Sequence, residues 1–221
     1  VIAASDIFFA MPVLENQLTS SHFKQGIVAD RNYQQHEALH RDMYPRFRTK
    51  KEMIYSTVHQ VKGMLNIARI ALGHEFSVEF LHHYGIDRFY EIGCVAIECV
   101  MREYRKKLLV QLPNQWNPMQ YHKKKDKTFQ LLDGELEVEI EGRKKQLHPG
   151  DLLWIPRGVW HTFGTKTGAI TEEISTASSD DDAFYVDREI LKILPEERKT
   201  RLSNWGRHQF EDFDQKLEED T

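Results

Sequence analysis

The chain has 221 residues, of which 40% are hydrophobic and 29% are charged; these proportions are typical of a folded globular protein and exclude a disordered one. Its formal net charge of −4 argues against a nucleic-acid partner, because phosphate recognition needs clustered Lys and Arg. No apolar run approaches the roughly 20 residues that cross a bilayer, so the composition predicts no membrane partner either.

The first 49 residues give little structural signal. The apolar opening is interrupted by Asp6 and is preceded by no basic residue, so it does not have the pattern of a signal peptide. A start at Val1 instead of Met indicates a fragment or a processed product. Gly26–Ala29 is a candidate strand within an otherwise mixed segment.

Two cysteines, Cys94 and Cys99, lie in one apolar stretch. If that stretch is a single strand, the two side chains point to opposite faces and can neither form a disulfide with each other nor share a metal. We therefore expect reduced thiols that pack as small hydrophobic side chains. Reduced thiols are typical of a cytoplasmic protein.

Residues 50–73 are predicted to form an amphipathic helix. Apolar residues recur there at steps of three and four, the period of a helix with one buried face; they are Ile54, Val58, Val61, Leu65 and Ala68. Gly73 follows this pattern and is a candidate C-cap.

The region 74–187 has the pattern of many short strands, and its turns predict a sandwich or a barrel. Asp133-Gly134 and Glu141-Gly142 are expected to be hairpin turns. The predicted strands are Ser77–Leu81, Ile92–Val100, Lys107–Gln111, Thr128–Leu132, Glu135–Ile140, Lys144–Leu147, Leu152–Ile155 and Ala169–Thr176. His82 and His83 are adjacent, so in a strand they cannot bind one ion, and we expect structural roles for both. Residues 188–221 are predicted to be a helical extension with an acidic tail.

Two motifs within this region carry the chemistry. The second runs from Gly150 through Pro156 and Gly158 to His161, so that a turn, a strand and a second turn aim His161 into a barrel. The first is Gln120-Tyr121-His122, followed by Lys127 and Gly134. Together they resemble the paired motifs of the cupin superfamily. The resemblance implies a mainly β fold, a cupin double-stranded β-barrel (jelly roll), with helices before and after it.

The resemblance also shows where the metal-ligand set departs from the family pattern. In cupins the first motif supplies two His and a Glu, which hold a divalent metal together with the His of the second motif. Here Gln120 and Lys127 occupy a His and the Glu position, whereas His122 and His161 are retained. Asp126, one residue early, is a replacement ligand if the strand bulges. A metal (Mn, Fe, Ni or Zn) on His122, Asp126 and His161 is one hypothesis, and a Lys127 ammonium that supplies the positive charge is the other.

A wider resemblance covers roughly residues 75–205. The segments His122–Phe129, Glu172–Thr176 and Asp180–Tyr185 are similar to the cupin domain appended to sialic acid (N-acetylneuraminate) synthase-like proteins. They are more distantly similar to cupin-type D-lyxose isomerases. Residues 7–40 resemble the end of such a synthase and its antifreeze-like (SAF) module. The resemblance implies that residues 1–49 are a partial SAF-like segment or linker, and that the chain is fused to or associated with an upstream synthase domain.

These likenesses imply three functions. The first is a sugar-binding accessory domain in bacterial surface-carbohydrate biosynthesis, with a sugar or nucleotide-sugar ligand bound by Gln120, His122, Lys127, Trp160 and His161. The second is a metal-dependent sugar isomerase or epimerase, in which the isomerase likeness maps catalytic roles onto Lys125 and Glu173. The third is a dimerisation module without a ligand. Cupins commonly pair through their strands, so each of the three implies a homodimer.

Overall fold

The structure, a computed structural model, describes residues 47, 49–176, 182–202 and 205. The candidate strand Gly26–Ala29, nearly all of the SAF-like segment and the acidic tail lie outside the described residues. None of the described helices is long and apolar enough to cross a membrane. Cys94 and Cys99 are both free thiols, as the sequence predicts.

Helix α1 spans Lys50–Ile67 and begins at the N-cap Thr49, whose hydroxyl accepts a hydrogen bond from the Glu52 backbone N–H. Such a cap satisfies one of the donors that every helix start leaves free. The helix ends before the predicted Gly73, because Arg69 has a φ of 57° and cannot continue a right-handed helix. Its buried face contains the predicted apolar residues up to Leu65.

Twelve strands are described, and they form two antiparallel sheets. The seven-stranded sheet has the order β12-β1-β2-β3-β10-β5-β8, and the five-stranded sheet has the order β11-β4-β9-β6-β7. The strands of the first sheet are β1 Ser77–Leu81, β2 Cys94–Met101, β3 Tyr104–Gln111, β5 Lys127–Gly134, β8 Leu152–Ile155, β10 Ala169–Thr176 and β12 Lys199–Leu202. Those of the second are β4 Gln120–His122, β6 Leu136–Ile140, β7 Arg143–Leu147, β9 His161–Gly164 and β11 Ala183–Tyr185. A short helix α2, Arg188–Leu191, and two 3₁₀ turns, Ile86–Arg88 and Pro195–Arg198, complete the elements.

Two apolar clusters lie on opposite faces of the seven-stranded sheet. Helix α1 packs on the outer face, where Ile54, Val58 and Val61 belong to the same apolar cluster as Phe80 and Ile97. The inner face packs against the five-stranded sheet through residues such as Phe129 and Phe163. Strand alternation produces this division, because successive side chains point to opposite faces.

Two predicted features differ in the structure. Ile140 pairs with Arg143 around Glu141-Gly142, so that turn is a hairpin as expected. Asp133-Gly134 is not a hairpin, because β5 and β6 lie in different sheets and the chain crosses between them there. The C-terminal extension is not wholly helical either: β12 pairs with β1, because Leu202 and Val78 share a register and become buried together.

Candidate functional site

A cavity of about 150 Å³ lies at one end of the space between the two sheets. Both sheets and the segment 195–199 contribute to its wall. Five of the residues predicted from the sequence line it: Gln120, His122, Lys125, Lys127 and Glu173. The apolar residues between the sheets fill the rest of the barrel, so this polar end is the part that is open to a ligand.

Lys127 and Glu173 lie on neighbouring strands, β5 and β10, and both face the cavity. Each has 3% of its surface exposed. The Lys127 Nζ lies 3.7 Å from the Glu173 Oε2, and the Lys125 Nζ makes an ion pair with the other carboxylate oxygen, Oε1. Burial of an unpaired charge would be costly, so the shared carboxylate is what allows both ammonium groups to lie here.

The charges of this cluster shift the pKa of its members. Burial alone would raise the pKa of the Glu173 carboxyl, but the positive charges of Lys125 and Lys127 outweigh it and hold that pKa well below its usual range. Burial lowers the pKa of the Lys127 ammonium to about 7, against the opposing effect of the Glu173 charge. Lys127 is therefore a group that can gain or lose its proton near neutral pH.

His122 and His161 lie side by side on β4 and β9, with ring centroids 5.8 Å apart. The Nδ1 of His122 lies 2.8 Å from the Asp182 carbonyl oxygen, and the Nδ1 of His161 lies 2.9 Å from the Val159 carbonyl oxygen. A carbonyl only accepts, so each Nδ1 donates and each Nε2 keeps a free lone pair. Burial, followed by the charge of Lys127, lowers the pKa of both rings, to about 3 for His122.

Both rings are therefore neutral at physiological pH. The Nε2 of His161 is buried and has no hydrogen-bond partner among the described residues. The site thus presents unprotonated imidazole nitrogens, which can accept a hydrogen bond from a ligand or bind a metal.

The donor set does not fit a resident divalent metal. Two imidazoles are present, but among the described residues no three His, Cys, Asp or Glu side chains converge. The position that a carboxylate ligand would occupy is held by Lys127, whose positive charge acts on both rings. An ammonium cannot ligate and repels a dication.

Three predicted residues lie outside the cavity wall, and one of them is His161, which is buried beside His122. Asp126 is the neighbour of the inward-facing Lys127, and its carboxylate accepts a hydrogen bond at 2.7 Å from the indole of the exposed Trp154. The structure therefore does not bring the set of His122, Asp126 and His161 together. Trp160 packs against Tyr121, with ring centroids 4.5 Å apart, and does not line the cavity either.

Several cavity residues were not predicted from the sequence. His83, which we expected to be structural, lines the cavity and bonds to the Asn117 side chain at 3.0 Å. Arg105 and Lys107 are two residues apart on β3, so both side chains lie on the face that lines the cavity. The sequence showed this spacing. Tyr185 and Arg198 come from the segment after β10. The local sequence does not show that this segment folds back against the cavity.

Asp182 has a supporting role that the sequence resemblance did not specify. Its carboxylate accepts hydrogen bonds from the backbone N–H groups of Lys123, Lys124 and Lys125. Its own backbone carbonyl accepts from His122. One residue thus positions both the lysine-rich loop and the imidazole beside the cavity.

Comparison with curated proteins gives one short match. An uncharacterized protein of Aquifex aeolicus (strain VF5) is 44% identical over 43 residues, which is 20% of this chain and 36% of that protein. The match spans about a third of the relative's length, so it does not indicate an activity for this chain.

Comparison with solved structures finds the same fold. The L-ribose isomerase of Geodermatophilus obscurus has a TM-score of 0.54 at 12% identity, with 66% of this chain and 94% of that chain covered. The Cellulomonas parahominis L-ribose isomerase with L-psicose has a TM-score of 0.53 at 12% identity and the same coverage. An Acinetobacter sp. DL28 L-ribose isomerase variant in complex with L-ribose has a TM-score of 0.52 at 11% identity, with 68% and 95% covered.

Residues 108–173 match the cupin domain family (Cupin_2). This segment includes both motifs and the strands from β4 to β9, together with half of β3 and most of β10. The chain therefore contains a cupin domain, and its two antiparallel sheets form a cupin jelly roll.

Proposed function

We propose that this chain is a sugar-binding cupin domain whose barrel cavity receives a single sugar ring. The observation that carries the proposal is the cluster of polar side chains that converges at one end of an otherwise apolar barrel. A concave site with a few convergent polar groups is the usual form of a small-molecule site. The shared fold of the L-ribose isomerases supports a sugar as the ligand.

The side chains match what sugar hydroxyl groups require. Each hydroxyl donates one hydrogen bond and accepts others. The His122 Nε2 accepts, the Lys125 ammonium donates, and the amides of Gln120 and Asn117 can do both. The side chains of His122, Lys125 and Asn117 are fixed by contacts within the protein. We therefore expect the site to select the orientation of the sugar ring as well as to bind the sugar.

Calorimetric titration with a panel of five- and six-carbon aldoses and ketoses tests this proposal. One sugar should bind, and Gln120→Leu should weaken its binding at least tenfold, because the variant leaves a hydroxyl without a partner in the cavity. Gln130→Leu, on β5 but on the face turned away from the cavity, is the matched control and should bind like the wild type. Absence of binding by every sugar of the panel, and by uronates and sugar phosphates as well, would overturn the proposal.

A second candidate function is a sugar isomerase or epimerase that uses the chain's own groups for proton transfer. The buried His161 Nε2, which has no hydrogen-bond partner among the described residues and lies beside the cavity residue His122, favours it. An imidazole nitrogen of this kind can accept a proton from a sugar carbon. Glu173, which the isomerase likeness implied as catalytic, is held by two ammonium groups and is a weaker base. Lys125, held by the same ion pair, would donate to the sugar oxygen.

Proton exchange distinguishes catalysis from binding. The sugar that binds is incubated with the protein in deuterium oxide and followed by NMR. An enzyme would exchange the carbon-bound hydrogen or form the isomer, and His161→Gln would stop both. His148→Gln, which alters an exposed histidine outside the cavity, should leave the rate unchanged. Binding without exchange would restrict the chain to a binding role.

We further propose that the chain serves as an accessory domain of a sialic acid synthase-like protein in the cytoplasm, and that it forms a homodimer. These proposals rest on the sequence resemblance alone. Light scattering of the purified chain measures the oligomeric state. If the cavity binds no sugar and the chain is a dimer, the remaining candidate is a dimerisation module.

A further inference from the structure

The wall of the cavity carries more positive than negative charge. Two carboxylates line it, Glu79 and Glu173, against six cationic side chains: Arg105, Lys107, Lys125, Lys127, Arg198 and Lys199. This surplus contrasts with the net charge of −4 for the whole chain. Even with Lys127 neutral, the cations outnumber the carboxylates. A cleft lined by one sign of charge concentrates ligands of the opposite sign.

The acids present are shared among several cations. Glu173 serves both Lys125 and Lys127. Glu79 lies 3.8 Å from Lys107 and 3.7 Å from Lys199. A third carboxylate, Glu98, adjoins the wall and lies 3.8 Å from both Arg105 and Lys107. Because these three carboxylates are outnumbered by the six cations, the cluster keeps a net positive charge, which can attract an anionic ligand.

Arg198 differs from the other cations of the wall because its partners are neutral groups, among them the Tyr185 hydroxyl. Its Nε donates to the Ile193 carbonyl at 2.9 Å, and its guanidinium carbon lies 5.4 Å from the centroid of the Tyr185 ring. Within the described part of the chain, no carboxylate lies within ion-pair distance of it. A guanidinium has five N–H donors in a planar fork that matches a carboxylate or a phosphate.

We infer that the sugar bound in this cavity carries an anionic group, a carboxylate or a phosphate, and that Arg198 is the residue that receives it. The inference rests on the proposed sugar-binding function and narrows its ligand class. A cavity of about 150 Å³ is smaller than the roughly 300–1,000 Å³ of pockets for drug-sized ligands. The cavity therefore suits one acidic sugar ring and not a sugar linked to a nucleotide.

The test is calorimetric titration at neutral pH with matched ligands. The panel contains D-glucose, D-glucuronate and D-glucose 6-phosphate, with the mannose and galactose counterparts of each. In at least one series the acidic sugar should bind ten times more tightly than the neutral one. Comparison of uronate with phosphate identifies the source of the charge. Inorganic phosphate should compete if the ligand is a phosphate.

Variants locate the anion within the cavity. Arg198→Gln should remove the preference for the acidic sugar, and Lys107→Gln, at the other end of the cluster, provides a second test if the first variant fails to fold. Lys192→Gln is the matched control, because Lys192 lies shortly before Arg198 in the chain but outside the cavity wall, and its exposed ammonium pairs with Glu189. It should bind like the wild type.

The outcomes separate this inference from the proposed function. Neutral and acidic sugars that bind equally would overturn the inference and leave sugar binding standing. A preference that survives Arg198→Gln, or that survives Lys107→Gln where Arg198→Gln does not fold, would also overturn it. If no sugar of either class binds, both the inference and the proposed function fall.

Discussion

Lys127 stands where the cupin motif places a carboxylate ligand, and it changes the chemistry of every neighbouring group. Burial, together with the Lys127 charge, holds both imidazoles in their neutral form, and the charges of Lys125 and Lys127 together keep Glu173 ionised. The carboxylate is in turn what makes the burial of two ammonium groups tolerable. Glu173 is therefore the residue on which the stability of the whole cluster depends.

Removing the Glu173 charge should destabilise the fold strongly. Glu173→Gln leaves Lys125 and Lys127 without their shared carboxylate, and breaking a buried pair costs about 3–5 kcal/mol. Urea unfolding at pH 6 measures this loss, which should be smaller at pH 9 because Lys127 can then be neutral. Glu172→Gln is the control: Glu172 pairs with Lys106 on the outer face at 2.7 Å, and such a partly exposed pair contributes about 1 kcal/mol or less. Equal losses in the two variants would contradict the assigned role.

The stability of the chain should depend on pH through Lys127. Its pKa is about 7 in the folded protein against 10.5 for an ordinary lysine, so between these values the unfolded chain binds the extra proton. The contribution of Lys127 to the free energy of unfolding therefore rises with pH in this window, by at most about 1.4 kcal/mol per pH unit. Urea unfolding of the wild type and of Lys127→Met at pH 7, 8 and 9 measures this contribution, as the difference between the two proteins in how the free energy of unfolding changes with pH. Parallel curves would refute this assignment.

The ligand positions were the part of the site that the sequence could predict. The spacing of the two motifs identified Gln120, His122 and Lys127 as cavity residues, and it identified His161 beside them. It could not place Asp126, because one residue of displacement along a strand moves a side chain to the other face. Arg198 and His83 were beyond prediction, since the cavity brings them together from segments far apart in sequence.

At the scale of elements, most of the strands that the sequence predicted have an apolar run or an alternating apolar pattern. The short strands β4, β9, β11 and β12 have no such pattern and depend on neighbours for their hydrogen bonds. The pairing of β12 with β1 joins the first and the last described strands, and local sequence carries no information about it. Asp133-Gly134 has the local sequence of a hairpin turn, but it joins strands of two different sheets. The local sequence does not show which strands will pair.

Helix α1 is an element that supports the fold from outside the site. Ile54→Ala should cost about 2–5 kcal/mol in unfolding free energy, because the side chain is 1% exposed within the outer cluster and its loss leaves a void. Ile67→Ala, at a side chain that is 82% exposed, should have almost no effect. Since α1 packs on the face opposite the cavity, sugar binding by folded Ile54→Ala protein should equal that of the wild type. A weakened affinity would show that the helix also shapes the site.

For the molecule as a whole, the jelly roll keeps the fold on which cupins build metal sites, while the wall of its cavity carries a surplus of positive charge. This contrast can be tested by restoring the family's ligand pattern. Gln120→His combined with Lys127→Glu supplies a third imidazole and a carboxylate beside His122 and His161. Without metal, the new carboxylate lies close to Glu173, and like charges repel, so the double variant should unfold at a lower temperature than the wild type.

Addition of Zn²⁺ should reverse that loss in the double variant. A ligand that binds only the folded state at 100 times its Kd adds about 2.7 kcal/mol of stability. The wild type, in which Lys127 repels the ion, should unfold at the same temperature with Zn²⁺ and with chelator. The single variant Gln120→His keeps Lys127 and should resemble the wild type. If instead wild-type protein is stabilised by Zn²⁺ and His122→Ala abolishes the effect, the barrel holds a metal despite its lysine, and the charge argument for an anionic ligand would lose its basis.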